Sequence, residues 1–221
     1  MVKREKLRVR KTEVHLFPLE HDMGSYKERK WKKLDHVLKS IGPDFHAIAV
    51  EGMLGTARKK EMGKRLLERK KVRGSVDKEL NGKCIKDKMN LLVIDGEHKE
   101  RVNKKQEEKD KDTYFKAKEK QTNNKFFEEI KSDLSQGKYR DIIMTDNILK
   151  AIEHHEKNPK KKNPVKIAVI AEPHHIKQIK KYLKEPQEFK ELKRTVKELT
   201  NSRFQKAKWA DLMIIGPDKL E

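Results

Sequence analysis

Three short apolar runs in this 221-residue chain each end on a polar residue that can take part in chemistry. They are residues 14–21 (VHLFPLEH), 47–51 (AIAVE) and 166–175 (KIAVIAEPHH). If the three runs are parallel strands of one sheet, their carboxyl ends meet at the crevice where α/β proteins bind ligands. The sequence therefore predicts one site to which two histidines and a carboxylate contribute.

Apolar periodicity along the chain alternates between strand spacing and helix spacing. The predicted strands are residues 13–19, 45–50, 89–94, 166–171 and 210–215, and the predicted helices are residues 25–41, 56–71, 126–134, 139–155, 174–183 and 187–199. Residues 74–83 are expected to form an irregular connection. This alternation predicts an α/β fold with a mainly parallel central sheet flanked by helices. The length suits a single domain over residues 1–221, because a domain usually needs about 100–200 residues.

Residues 97–124 form the most polar part of the chain, with almost no apolar periodicity. Such a segment is typical of a solvated helix, an insertion or a mobile lid, and sequence alone does not separate these forms. We predict a long charged helical insertion that is easily cleaved by protease.

Charge dominates the remaining composition, because 56 Lys and Arg residues outnumber 36 acidic ones and give a net charge of +20. The lysines are interleaved with glutamates, a pattern that favours solvated helix faces. Aromatic residues make up only 6% of the chain, whereas proteins that bind single strands stack bases on aromatic rings. A basic nucleic-acid-associated protein is therefore an alternative function and not the leading one.

Several classes of protein are excluded because their signatures are missing from the sequence. No GxxxxGK[ST], GxGxxG, HExxH or paired CxxC motif is present, so phosphate-loop, dinucleotide-binding, zincin and zinc-finger functions lack their required residues. No apolar run approaches the roughly 18 residues that a membrane helix needs. Cys84 is the single cysteine, which excludes an intrachain disulfide and suits a reducing compartment. We expect a cytoplasmic protein without membrane contact, and the oligomeric state stays open.

Four residues are the candidates for catalysis at the predicted strand ends. His21 follows the first strand and suits a general base or a metal ligand. Glu51 ends the second run, where a desolvated carboxylate needs a partner, so its removal is expected to cost the fold little. Arg140 begins a predicted helix and could stabilise an oxyanion. Adjacent histidines point in different directions, and of His174 and His175 we predict that His174 enters the site.

The order of these residues resembles the TraB/Tiki/ChaN/erythromycin-esterase superfamily. The matching segments are residues 18–21 (PLEH), 43–51 (PDFHAIAVE), 140–144 (RDIIM) and 171–174 (AEPH). The resemblance implies an α/β fold with a polar site built from two histidines, a glutamate and an arginine. It covers proposed metal-dependent peptidases, a haem-binding branch and metal-independent esterases, so it does not name a substrate.

This chain departs from the superfamily pattern at both glycines of the paired GxxH motif. Pro18 and Ala171 replace them, and glycine is the residue that allows the closest approach of backbone to ligand. A non-catalytic ligand-binding protein on the same fold is therefore a second alternative.

The leading hypothesis is a hydrolase that acts on a small-molecule or peptide substrate. In an esterase-type mechanism, a histidine takes a proton from water while Glu51 orients it, and Arg140 stabilises negative charge. In a metal-type mechanism, His21, Glu51 and His174 are three ligands of a divalent metal and leave a position open for water. The sequence leaves both mechanisms open.

Overall fold

A mixed six-stranded sheet forms the centre of the molecule in the computed structural model, which describes residues 4–20, 33–51, 76–94, 139–158, 164–201 and 212–220. Its strands are β1 (Glu5–Val9), β2 (Thr12–Pro18), β3 (Ala47–Val50), β4 (Asn90–Val93), β5 (Val165–Ala171) and β6 (Met213–Ile215). The spatial order is β1-β2-β5-β3-β4-β6. The central strands β2, β5, β3 and β4 are parallel, and the edge strands β1 and β6 are antiparallel to their neighbours.

The helices are α1 (Leu34–Ser40), α2 (Val76–Lys86), α3 (Tyr139–Lys157), α4 (Pro173–Lys184) and α5 (Pro186–Asn201), with a short 3₁₀ helix at Pro217–Lys219. The α/β class is confirmed, and all five predicted strands lie close to their predicted positions. The expectation of an irregular connection at 74–83 is wrong, because α2 covers most of that segment. Strand β1 was not predicted. The helical insertion at 97–124 and the helices at 56–71 and 126–134 lie outside the described residues.

Helices cover both faces of the sheet. Successive side chains of a strand point to opposite faces, so each buried strand contributes to two apolar clusters. On β3, Ile48 and Val50 join one apolar cluster with residues of α1 and α2. Ala47 and Ala49 join the other cluster with residues of α3 and α4. Helix α5 packs against α3 and α4. None of the described helices is both long and apolar enough to cross a membrane.

The connections between strands reverse direction at β5. The chain first moves from β2 to β3 and β4 with α1 and α2 on one face, and then returns through α3 on the other face to place β5 between β2 and β3. Crossovers between parallel strands are almost always right-handed, so a reversal of direction moves the helices to the opposite face. Helix α2, the first described element after β3, lies on one face, and α4, which follows β5, lies on the other. Open α/β sheets bind their ligands where the connections diverge in this way.

The predicted convergence of strand ends is confirmed. The Leu19 N–H donates to the Ala171 carbonyl at 3.0 Å, and the Glu51 N–H donates to the Ile170 carbonyl at 3.0 Å. Residues that follow β2, β3 and β5 therefore begin at one edge of the sheet.

Candidate functional site

Glu51 is the first residue after β3, and its carboxylate is buried at the carboxyl edge of the sheet. Oε1 accepts a hydrogen bond from Nη2 of Arg140 at 2.7 Å, and Oε2 accepts one from the backbone N–H of Glu172 at 3.0 Å. The partners come from the first turn of α3 and from the residue before α4. One carboxylate therefore joins three separate elements at the strand ends.

His175 connects this carboxylate to a second one. Its Nδ1 hydrogen-bonds Oδ1 of Asp141 at 2.5 Å, and its Nε2 lies 3.4 Å from Oε1 of Glu51. Asp141, His175, Glu51 and Arg140 thus form a continuous series of contacts, which we call the strand-end cluster.

Local sequence explains why these side chains face inward. Pro173 occupies the start of α4, a position that suits its fixed φ, after Glu172 in an extended conformation. The buried stripe of α4 then recurs at helix spacing and consists of His175, Ile176, Ile179, Tyr182 and Leu183. On α3, the amide of Asn147 donates to the Ile94 carbonyl at 2.9 Å and ties this helix to the end of β4.

Contacts within the cluster shift the pKa values of Glu51 and His175 strongly and in opposite directions. Burial opposes ionisation of Glu51, but the contact with His175, the N–H of Glu172 and the charge of Arg140 outweigh it and lower the pKa of Glu51 to about 2. Burial also opposes the charge on His175, but Asp141 and Glu51 outweigh it and raise the pKa of His175 to about 9. At neutral pH, Glu51 is therefore an anion and His175 a cation.

The structure brings together two of the four predicted site residues, Glu51 and Arg140. His174 is 65% exposed in its side chain and lies with Nδ1 3.4 Å from Oε2 of Glu172. Of the two adjacent histidines, His175 and not the predicted His174 contacts Glu51. His21 lies outside the described residues.

The sequence did not lead us to place His175 and Asp141 in this cluster, although a signal for both was present. His175 precedes Ile179 by four residues and Asp141 precedes Ile148 by seven, so both share the buried face of their helix. His174 is one residue out of phase with that face. The position of each histidine relative to the buried face of the helix therefore distinguishes His175 from His174.

The metal set expected from the sequence, His21, Glu51 and His174, fits this geometry only in part. Both oxygens of Glu51 already accept hydrogen bonds, one of them from a guanidinium. A different group of donors, Glu172, His174 and His175, lies together in the described part of the chain, with its ligand atoms all within 4.8 Å of one another. Two imidazoles and a carboxylate suit a divalent transition metal.

Comparison of the chain with protein-family models, with curated proteins and with solved structures found no match. The geometry of the strand-end cluster is therefore the basis for a function.

Proposed function

We propose that this chain is a hydrolase of the TraB/Tiki/ChaN/erythromycin-esterase type, whose substrate binds in the crevice between the ends of β3 and β5. One observation carries the proposal: the buried carboxylate of Glu51 contacts both Arg140 and His175 where the connections diverge. Charged groups that are gathered at such a crevice, and not dispersed through the core, are typical of a site that binds or transforms a ligand.

The energetic cost of the cluster supports a functional role. Buried ion pairs often add no more stability than well-packed apolar residues of similar volume, because desolvation offsets their attraction. Arg140 is 27% exposed in its side chain, so one end of the cluster reaches solvent. A substrate entering the crevice would meet the guanidinium first.

Each group has a proposed role that follows from its contacts. Arg140 stabilises negative charge that develops on a substrate oxygen. Asp141 holds the Nδ1 side of His175, so Nε2 is the ring atom that faces Glu51 and the site. Glu51 orients both cationic side chains. His21 would supply the general base that takes a proton from water, as the resemblance implies.

We place the substrate among small-molecule or peptide compounds with an ester or amide bond, and the reaction in the cytoplasm. The support for this location is the single cysteine together with the lack of a membrane-type apolar run in the sequence.

The test is hydrolysis of a panel of p-nitrophenyl esters and chromogenic peptide amides by the purified full chain. Arg140→Lys and Glu51→Gln should lower kcat/KM by about 10²–10³-fold, the cost of losing one group that stabilises the transition state. Glu153→Gln on the far end of α3 is the matched control and should leave activity unchanged, because Glu153 pairs with Lys157 on the surface. Equal activity of all variants, or no turnover of any substrate, would overturn the proposal that the chain is a hydrolase.

A non-catalytic ligand-binding protein is the second candidate, and a specific observation favours it. Pro18 and Ala171, which replace the two glycines of the superfamily pattern, are direct register partners on β2 and β5. Both substitutions therefore add atoms at the same point of the strand-end edge. If the double change Pro18→Gly and Ala171→Gly creates turnover that the natural chain lacks, the natural chain is a binding protein on a hydrolase fold.

Nucleic-acid association is the third candidate, supported only by the net charge of +20. Binding to duplex and single-stranded DNA at increasing salt tests it, because affinity that rests on phosphate contacts falls steeply with salt. Binding that survives the loss of Glu51 and disappears with substitution of lysines 160–162 would identify this function.

A further inference from the structure

We infer that Glu172, His174 and His175 bind one Zn²⁺ at the start of α4. The site goes beyond the proposed hydrolase, because it concerns metal binding alone and would stand if the chain hydrolysed nothing. It also differs from the set expected from the sequence, because it contains neither His21 nor Glu51.

The spacing of the donor atoms is the first support. Ligand atoms of the three side chains lie within 4.8 Å of one another. Zinc bonds of about 2.0–2.2 Å in tetrahedral geometry place neighbouring donors about 3.4 Å apart. Oε2 of Glu172 and Nδ1 of His174 are already 3.4 Å apart. The set as a whole spans up to 4.8 Å, so side-chain rotation must bring the remaining donors to this spacing.

The environment of His175 is an independent second support. The side chain is 7% exposed, and its Nε2 has no hydrogen-bond partner among the described residues although Oε1 of Glu51 lies 3.4 Å away. Its other nitrogen, Nδ1, is bonded to Asp141. Zn²⁺ would replace the proton that Nε2 carries at neutral pH, and that proton would pass to solvent. Histidines that ligate metals commonly present one nitrogen to the metal while a carboxylate holds the other and fixes the ring. Asp141 is placed to be this positioning residue.

Access and ligand type agree with a metal that exchanges with solvent. His174 is largely exposed, and Glu172 is 30% exposed in its side chain, so an ion can reach the donors from water. Three protein ligands leave a fourth position for water or a ligand. Imidazole nitrogens favour Zn²⁺ over Mg²⁺ and Ca²⁺, which prefer sites made of oxygen alone.

The experiment measures metal binding by the full chain after treatment with a chelator and removal of the chelator, in the absence of any substrate. Zn²⁺ is titrated by calorimetry, and Co²⁺ is added as a spectroscopic probe whose visible absorption reports tetrahedral nitrogen and oxygen ligands. We expect one Zn²⁺ per chain with no measurable Mg²⁺ binding. We also expect a visible Co²⁺ spectrum that Zn²⁺ abolishes.

Matched variants distinguish zinc binding at this site from binding to other histidines of the chain. His174→Gln and Glu172→Gln should weaken Zn²⁺ binding by at least as much as Asp141→Asn, for which the loss of an orienting partner predicts about 10–100-fold. The control is His154→Gln, because His154 is also the exposed member of an adjacent pair, His154–His155, on α3. Both glutamine variants of the site change exposed or half-buried side chains, so they should fold.

Equal Zn²⁺ affinity in His174→Gln and the natural chain would overturn the inference. Loss of binding in His154→Gln alone would overturn it as well, since the metal would then lie at the opposite end of α3. These outcomes are distinct from failure of the hydrolase, which is judged by turnover and by Arg140→Lys, a change outside the metal ligands.

Discussion

Two buried histidines of this protein show opposite shifts in pKa. His15 on β2 is 1% exposed and His175 on α4 is 7% exposed in its side chain. Burial lowers the pKa of His15, and the positive charge of Arg4 lowers it further, against a smaller opposing effect of Glu13. Burial acts in the same direction on His175, yet Asp141 and Glu51 raise its pKa to about 9.

The two histidines differ in the burial and the charge compensation of their neighbouring carboxylates. Glu13 lies beside His15 on the same strand, and it also pairs with Lys6 at 2.9 Å, so part of its charge is compensated by a lysine. The carboxylates around His175 come from the start of α3 and the end of β3, and both are buried. Similar desolvation therefore produces a neutral histidine in one place and a cation in the other, because neighbouring charge decides the sign.

Removal of the shared carboxylate of Glu51 should have the largest effect on stability. Glu51→Ala removes the carboxylate that Arg140 and His175 share, and breaking a buried pair in this way typically costs about 3–5 kcal/mol. The result should appear as a lower midpoint in urea unfolding. This contact geometry reverses the expectation from sequence that the loss of Glu51 would cost the fold little.

Glu153→Ala is the control for this change, because Glu153 is exposed and should be removable with little change in stability. A Glu51→Ala protein as stable as the natural chain would contradict the contacts assigned to the strand-end cluster.

The pH dependence of stability should show the contribution of the ion pair on both sides of neutrality. The folded pKa of His175, about 9, exceeds its ordinary value of 6.5, so its contribution is complete below pH 6.5 and is lost as pH rises toward 9. The folded pKa of Glu51, about 2, lies below its ordinary 4.5, so its contribution is complete above pH 4.5 and is lost toward pH 2. The shared contact should contribute at most about 3 kcal/mol, counted once for the pair.

Urea unfolding between pH 3 and pH 9.5 measures this profile, with a maximum expected between the two ordinary pKa values. His175→Gln should remove most of the decline on the alkaline side. If the variant keeps the same decline, the raised pKa belongs to another group.

His15 should have the smallest effect on stability, and its contribution should change with pH in the opposite direction to that of His175. Its folded pKa lies below 6.5, so the unfolded chain binds the proton more tightly and stability falls as pH drops through this value. His15→Phe should reduce that acid-side loss. Arg4→Ala should raise the pKa of His15 only slightly, because Arg4 is exposed to screening solvent. Titration of the imidazole proton signals by NMR reads both changes, and an unchanged pKa would remove Arg4 from the explanation.

The sequence was sufficient to predict the parallel core and the convergence of strand ends, because buried strands appear as continuous apolar runs such as residues 166–171. It was insufficient for β1, whose residues EKLRV alternate between half-buried and exposed positions at the sheet edge and contain more charge than apolar character. Helix α2 was missed because Asn81 and Gly82 resemble a turn. Gly82 faces open space, so tertiary packing of Leu80 and Cys84 decides the helix in spite of it.

For the candidate site, the sequence identified Glu51 and Arg140 because each occupies the end of a strand or the start of a helix. It did not single out His175, the histidine that contacts Glu51, since which neighbour faces inward depends on where α4 begins. That start is fixed by Pro173 and by the hydrogen bond from Glu172 to Glu51, a contact between residues 121 positions apart. Spacing within one segment contains no information on such a contact.

The position of β5 between β2 and β3 has a consequence for how the chain folds. During synthesis, β2 and β3 are made well before β5, yet β5 lies between them and supplies their common pairing partner. The amino-terminal strands must therefore wait for more than 100 further residues before the centre of the sheet closes, as the register partners Val50 and Ile170 show. Pairing over such sequence separations slows folding and leaves apolar strand edges exposed in the meantime. A chain interrupted before residue 165 would present those edges to chaperones or to other chains, so the synthesis of β5 determines when the centre of the sheet is protected from aggregation.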